Sequence, residues 1–397
     1  MKLRTIDDLD VARARVLVRA DLNVPLADGS IGDDFRIRRS VPTITKLLER
    51  GAARVIVCSH LGRPKGEPDP RYRLGPVGTR LGELLDMEVP VVPLPPTELP
   101  ETRVVLLENL RFHPGETTND QGFARALADL ADVYVDDAFG AVHRAHASVS
   151  AVAEMLPSAA GLLLVREVSA LSKLLEAPEH PFVAVVGGAK VSDKLGVLSN
   201  LLRVADTLVI GGAMCFTFLR AQGHSTGTSL VEEERIDDCR LLLEQHGDRI
   251  LLPSDVVIAT EMKAGVQTEQ VRIDAIPDDA AGYDIGKETS RAYVDAIRVA
   301  KTVLWNGPMG VFEIDEFASG TRAVAADVAL GPAYSVVGGG DSVAALGEFG
   351  YTDKVDHVST GGGAMLEFLE GKELPGLIPL RAGSGRDLEH TPRPPVT

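Results

Sequence analysis

The stretch "FVAVVGGAKVSDK" (Phe182–Lys194) is an unbroken apolar run that ends on two glycines and passes into a polar segment with two lysines. A strand that is apolar at every position, instead of at alternate ones, is buried on both faces. That requires a parallel sheet covered by helices on either side. The theme recurs along the chain. In the first half it appears in "RVLVRADLNVP", "RVIVCSHLGRP", "RVVLLENLRFHPGE" and "VYVDDAFGAVHRAHAS". In the second half it returns in "TLVIGGAM", "TVLWNGPMGVFE", "YSVVGGGDSV" and "HVSTGGGAMLEFLEG" (His357–Gly371). Strands alternating with helical patterns predict an α/β protein with parallel sheets, and in such sheets ligands gather at the carboxyl ends of the strands.

Length and charge narrow the reading. A chain of 397 residues exceeds what one core usually supports, so two domains are expected. Between the halves lies "AGLLLVREVSALSKLLEA". Leu164, Val168, Leu171 and Leu175 recur there at helical spacing while Arg166, Glu167 and Lys173 take other faces, which predicts one amphipathic helix joining the domains. With 57 acidic and 41 basic residues the net charge is −16, which repels nucleic acid and anionic membrane surfaces. No apolar run approaches a membrane span, and the opening stretch lacks the apolar core of a secretory signal. Cys58, Cys215 and Cys239 are too widely spaced for a disulfide framework, so a cytoplasmic location is expected.

The two halves place different chemistry at their strand ends. The first offers Arg19, Asp21, Asn23, Arg36, His60, Arg63, Arg111, His113, His143, Arg144 and His146. One arginine is ordinarily a solvated surface residue. Guanidiniums recurring after four strands form a site for a compact, multiply charged acid. A metal site at His60, His143 and His146 is disfavoured, because Arg144 intervenes and no cysteine or compact carboxylate group accompanies them.

The second half offers glycines: Gly187 and Gly188, Gly211 and Gly212, Gly338 to Gly340, and Gly361 to Gly363. One glycine turn says little, but four imply close backbone approach to an extended ligand, most simply a nucleotide. Lys190 and Lys194 stand at i and i+4 and are expected on one face of the helix that Gly187 and Gly188 open. Asp341 suits a Mg²⁺ carried mainly by nucleotide phosphates, and Glu313 could accept hydrogen bonds from ribose hydroxyls. No G-x-x-x-x-G-K-[ST] sequence occurs, and no G-x-G-x-x-G follows a strand with an acidic residue about 20 positions on, which disfavours a dinucleotide-binding dehydrogenase. A non-catalytic solute-binding protein is disfavoured by Asp341 together with the paired lysines.

Ten ordered motifs resemble those of the phosphoglycerate kinase family over about residues 1–376. They are "RADLNVPL", "DDFRIRRSVPTI", "SHLGRP", "LLENLRFHPGE", "DDAFGAVHRAHAS", "GGAKVSDKLGVL", "IGGAMCFTFL", "VLWNGPMGVFE", "VVGGGDSVAALG" and "STGGGAMLEFLEGKELPG". The resemblance implies two Rossmann-like parallel-sheet domains joined by a hinged helix across an interdomain cleft. It implies a 3-phosphoglycerate-binding domain over 1–165, part of the interdomain helix over 166–177, a nucleotide-binding domain over 178–375, and a tail over 376–397 returning to the first domain. Asp21, Asn23, Arg36, His60, Arg63, Arg111 and Arg144 look like the 3-phosphoglycerate site. Lys190, Lys194, Gly212, Asn306, Glu313, Gly339, Gly340, Asp341 and Ser342 look like the nucleotide site, with Asp341 toward the metal. By the same similarity Arg36, Lys194, Gly340 and Gly363 serve the phosphoryl group in flight.

The implied reaction is the glycolytic and gluconeogenic one, in which 1,3-bisphosphoglycerate and ADP give 3-phosphoglycerate and ATP with Mg²⁺, in a monomer without nucleic-acid or membrane partners. An acyl-phosphate-forming kinase for another small acid is the alternative. Three positions depart from the family pattern: Asp136 stands in place of the Asn usual before "DAFG", Ala141 in place of a common Thr, and Met365 where a small residue is frequent. The tail is longer than the family's short ending.

Overall fold

The computed structural model describes residues 1–27, 29–96 and 98–383, and the chain divides into two compact units. Unit 1 comprises Met1–Ser169 together with the segment from Glu373, and unit 2 comprises Ala170–Lys372. The division falls inside the helix Leu162–Glu176.

Unit 1 is built on six strands in the spatial order Val91–Val92, Val104–Leu107, Arg54–Cys58, Arg15–Arg19, Val133–Asp136, Ser158–Ala160. All pairings are parallel, with Val16 opposite Val55 on one side and Val133 on the other. The inner strands are buried along nearly their whole length, as unbroken apolar runs demand. Val16, Val18, Val55 and Val57 pack on one face, while Leu17, Ile56, Val105 and Tyr134 pack on the other. The winding reverses at Arg15–Arg19, so the loops after it and after Val133–Asp136 part there and leave room for a ligand.

The first part of the expected tail lies on unit 1. Gly376 N donates to Val142 O at 2.8 Å, Arg4 N to Leu380 O at 2.8 Å, and Ala382 N to Lys2 O at 3.0 Å. The rest of that tail lies outside the described residues.

Unit 2 repeats the architecture with strands ordered Ile250–Leu251, Thr207–Ile210, Phe182–Val186, Thr302–Asn306, Tyr334–Val337, His357–Val358, again all parallel. In chain order this is 3-2-1-4-5-6, the doubly wound dinucleotide-binding order, with its switch point between Phe182–Val186 and Thr302–Asn306. A second sheet, absent from the sequence reading, pairs Asp255–Ala259 antiparallel with Glu269–Arg272 and Ala281–Ile285. Its outer strand, Glu269–Arg272, is largely exposed and carries no apolar alternation, so nothing in its sequence announces a strand.

Two local expectations are corrected. No helix opens at Gly187–Gly188: the helix begins only at Leu195, so Lys190 and Lys194 do not share a helical face. The carboxylate of Glu232 captures Val191 N at 2.5 Å, Ser192 N at 3.1 Å and Ser192 Oγ at 2.6 Å, which holds the intervening residues as a loop. In the helix Leu162–Glu176, Glu167 is fully buried, although the heptad-like spacing assigned it to an outer face. That helix starts where Asp137 Oδ1 accepts from Leu163 N (2.9 Å) and Leu164 N (3.3 Å), and Thr43 Oγ1 accepts from Leu162 N (2.9 Å). These contacts satisfy three of its otherwise unpaired first-turn donors.

Candidate active site

In unit 1 the sequence-predicted acid-binding residues follow four neighbouring parallel strands, so they share one edge of the sheet. Asp21 and Asn23 follow Arg15–Arg19, His60 and Arg63 follow Arg54–Cys58, Arg111 follows Val104–Leu107, and Arg144 follows Val133–Asp136. Arg36 enters from the first turn of the helix Phe35–Glu49. Its Nη1 donates to Asn23 O at 3.1 Å and lies 3.2 Å from Asp21 Oδ2. Asn23 Oδ1 accepts from Gly62 N at 2.8 Å, and Arg111 Nη1 donates to Gly62 O at 2.6 Å, so a single loop residue ties two of the strand ends together.

The electrostatics of this edge are unusual. Burial pushes the Arg111 guanidinium down to about 10, and Arg144 and Arg19 push it the same way. His60 is held well below the usual imidazole value, first by burial and then by Arg19, Arg111, Arg144 and Arg36. His60 is therefore neutral at physiological pH among four guanidiniums. Arg111 Nε is buried and has no hydrogen-bond partner among the described residues. Like charges gathered round an unsatisfied donor suit a multiply charged acid, which would supply both acceptor atoms and countercharge. Arg63 is exposed, and its charge reaches Arg111.

In unit 2 Lys194 lies at the switch point: its Nζ donates to Gly187 O at 2.6 Å and to Asn306 O at 3.0 Å, joining the ends of the two central strands. Burial depresses it to about 8, while Asp341 and Asp193 pull it back up. Two helices start after neighbouring strands of the same sheet, one of them carrying the Asp341 whose charge acts on Lys194. Gly340–Glu348 opens after Gly339 (φ +95°), and Gly362–Leu369 opens after Gly361. A Cβ on Gly362 would stand 4.0 Å from Gly340 N, so the two N-termini converge. Their free N–H groups and dipoles favour an anion between them. Gly363 and Gly340 are exposed there, and Asp341 is exposed in the first turn.

The glycines divide into two kinds. A Cβ on Gly212 (φ +65°) would fall 2.4 Å from Gly188 N, and one on Gly187 would fall 2.1 Å from Pro308 O, so both serve the close crossing of strand-end backbones. A Cβ on Gly340 would meet nothing within 4 Å. Asn306 and Ser342 are likewise engaged internally. Asn306 Nδ2 donates to Gly338 O at 2.9 Å, and Ser342 Oγ accepts from Gly307 N at 2.5 Å. Lys190 and Glu313 are exposed.

Three residues that the sequence reading did not single out support these sites. Glu232 clamps the lysine loop, as described. Asp137 caps the helix Leu162–Glu176. Glu116, fully buried, accepts from Ser148 N (3.0 Å) and Ser148 Oγ (2.7 Å) beneath the arginine cluster. Burial opposes its ionisation, yet the His146 contact, the Arg19 charge and the Ser148 bond together hold its carboxyl below the usual range. Only its place in "HPGE", within a strand-end segment, hinted at this. Among the described residues no group of three or more His, Cys, Asp or Glu side chains is placed to hold a metal by itself.

A guanidinium-lined strand edge on one α/β unit and converging helix N-termini beside a switch-point lysine on the other define a phosphotransferase that handles two small anions. A phosphoglycerate kinase family model matches residues 6–372. The phosphoglycerate kinase of Rubrobacter xylanophilus is 55% identical over 388 residues, covering 96% of this chain and 98% of its own. That of Moorella thermoacetica is 54% identical, covering 95% and 98%. Among solved structures, the phosphoglycerate kinase of Coxiella burnetii matches with a TM-score of 0.88 at 43% identity, covering 95% of this chain and 98% of its own. That of Pyrococcus horikoshii matches with a TM-score of 0.83 at 32% identity over 95% and 98%. The chain belongs to the phosphoglycerate kinase family. Its activity is that of a glycolytic phosphotransferase with a carboxyl group as acceptor, and the reading of a kinase for a different small acid is not favoured.

Proposed function

We propose that the arginine cluster of unit 1 holds 3-phosphoglycerate or 1,3-bisphosphoglycerate, that the strand ends of unit 2 hold ADP or ATP, and that transfer occurs when the two units close about the helix Leu162–Glu176. The observation that carries the reading is the buried His60 among four guanidiniums, with Arg111 Nε unpartnered among the described residues, a concentration of like charge and donors that a polyanionic ligand would relieve. Asp21, Asn23, Arg36, Arg63, Arg111 and Arg144 bind and orient the acid. Lys190, Lys194, Gly212, Gly339 and Glu313 contact the nucleotide, while Asn306 and Ser342 hold the strand ends that frame it.

In the ATP-consuming direction the attacking group is a carboxylate, ionised already at neutral pH because its ordinary pKa lies near 3–4. No general base is needed. The chain's task is alignment, exclusion of water from an acyl phosphate, and neutralisation of charge on the transferring oxygens. Arg36 and Lys194 contribute cations, and the amides at Gly340 and Gly363 contribute oriented donors.

An exposed first-turn carboxylate is the kind of oxygen donor that Mg²⁺ accepts when it keeps most of its coordination for phosphate and water, so Asp341 fits the metal. When bound, Mg²⁺ supplies charge neutralisation on the nucleotide phosphates. Among the described residues no helix is long and apolar enough to cross a membrane, and the three cysteines are free and buried. The free thiols suit a reducing compartment, and we take the protein to be a monomer in the cytoplasm.

A coupled assay with ATP and a panel of small acids tests the assignment. ADP release should depend on 3-phosphoglycerate, with little turnover on glycerate or acetate. Equal turnover on acids that lack the phosphate would sink the role of the arginine cluster.

A further inference from the structure

We propose that Arg19 is a positioning residue that holds His60 as the neutral tautomer protonated on Nε2, giving the arginine cluster one uncharged hydrogen-bond donor for an oxygen of the bound acid. This rests on the acid-site reading given above.

Arg19 is almost completely buried, and its guanidinium is fixed from three sides. Nε donates to Ser148 Oγ at 2.9 Å, Nη1 to Ala20 O at 2.5 Å, and Nη2 lies 3.0 Å from His60 Nδ1. Ser148 is itself anchored, since its Oγ donates to Glu116 Oε1 at 2.7 Å. A guanidinium has only donors, so the contact with His60 is a hydrogen bond only if Nδ1 offers a lone pair. An imidazolium would oppose N–H to N–H there, and burial with four surrounding guanidiniums disfavours it further. The single ring proton must then reside on Nε2, which makes no hydrogen bond among the described residues and belongs to a residue that retains 6% exposure.

The consequence is chemical. A neutral N–H can bind a hydroxyl or a carboxylate oxygen without adding a further charge to a cluster that already repels itself. Without Arg19 the contact that requires a lone pair on Nδ1 is gone, and the Nδ1-protonated form becomes accessible to the ring.

The test uses the full-length protein with ¹⁵N-labelled histidine. Long-range ¹H–¹⁵N ring correlations report the tautomer, and His60 is identified by its disappearance in His60→Gln. The expected pattern at neutral pH is a protonated Nε2 and a bare Nδ1. An Nδ1-protonated ring or an imidazolium overturns the proposal. In Arg19→Leu the pattern should shift toward Nδ1 protonation, whereas Arg19→Lys, which keeps a donor, should preserve it. An unshifted pattern in folded Arg19→Leu removes Arg19 from the role.

Kinetics supply an arm that does not depend on the Arg19 variants folding. Glutamine places its amide nitrogen near the Nε2 position, and asparagine places its own near Nδ1. KM for 3-phosphoglycerate should therefore be about tenfold higher in His60→Asn than in His60→Gln, the effect of about one lost hydrogen bond. Equal KM values, with a raised KM in Arg144→Ala, overturn this proposal alone. No change in any of the three variants overturns the acid-site reading as well.

Discussion

Arg36 pairs with the buried Asp21 carboxylate and donates to the Asn23 backbone carbonyl, while its own side chain stays partly exposed. Arg36→Ala should lower kcat by about 10²–10³ while ATP affinity changes little, the loss typical of one electrostatic clamp on a transition state. Steady-state kinetics beside nucleotide titration read the difference, and near-normal kcat rejects the role. The glycines give a sharper contrast. Gly340→Ala puts its Cβ into open space, so stability should change by less than ~0.5 kcal/mol while KM for ADP rises about tenfold. Gly212→Ala forces a side chain onto φ +65° and against Gly188 N, and should cost roughly 1–3 kcal/mol of stability. Denaturant melts paired with kinetics would expose the opposite pattern if the assignment is wrong. For Asp341→Asn, calorimetric titration should show MgADP weakened much more than metal-free ADP, since the lost carboxylate acts through the ion. Equal weakening with and without Mg²⁺ would make Asp341 a helix-start charge only.

The last residue of the strand Val133–Asp136 and the residue after it carry two consecutive buried carboxyls, and at the scale of this element they set a pH dependence. Burial raises Asp136 to about 6, partly offset by Ala138 N–H and the Arg19 charge, and raises Asp137 to about 7 against the N–H groups that it caps. Each has a buried Oδ2 without a partner among the described residues. A carboxyl whose folded pKa lies above its unfolded value binds more protons in the native state between the two values, so its contribution to stability declines as pH rises from about 4 to about 7. Asp136→Asn removes that penalty. The variant should gain on the order of 1–3 kcal/mol at pH 8 relative to the parent, and nothing below about pH 4. Urea unfolding of both proteins at the two pH values is the check, and a pH-independent difference would assign the effect to packing. The helix start shows how an element was legible only in part. "AGLLLVREVSALSKLLEA" announces a helix by its leucine spacing, but the choice of Asp137 as its cap comes from a strand 26 residues earlier.

For the molecule as a whole, the chemistry is divided between two units that share one helix. On the proposed reading the full set of contacts on the transferring group would exist only with both ligands bound, and only such differential contacts can shift an open–closed equilibrium. We therefore expect 3-phosphoglycerate and nucleotide together to reduce the radius of gyration in small-angle scattering, and either alone to reduce it less. An unchanged radius with both ligands verifiably bound leaves hinge closure without support.

What the sequence determined by itself was the class of architecture and the kinds of residue at the strand ends. Continuous apolar runs such as "FVAVV" can be satisfied only between two helical layers, and their period is local, written within five residues. The glycines and arginines were legible for the same reason, as types at fixed offsets from those runs. Tertiary structure decided what each of them does. Gly212 answers to Gly188 and Gly340 to open space, though both follow a strand in a glycine run. Glu232, forty residues from Ser192, turned an expected helix into a clamped loop. His60 is held well below the usual imidazole value first by burial and then by Arg19, Arg111, Arg144 and Arg36, folded round it from four separate segments. Burial and electrostatic fields are sums over neighbours in space, and no window along the chain contains those neighbours.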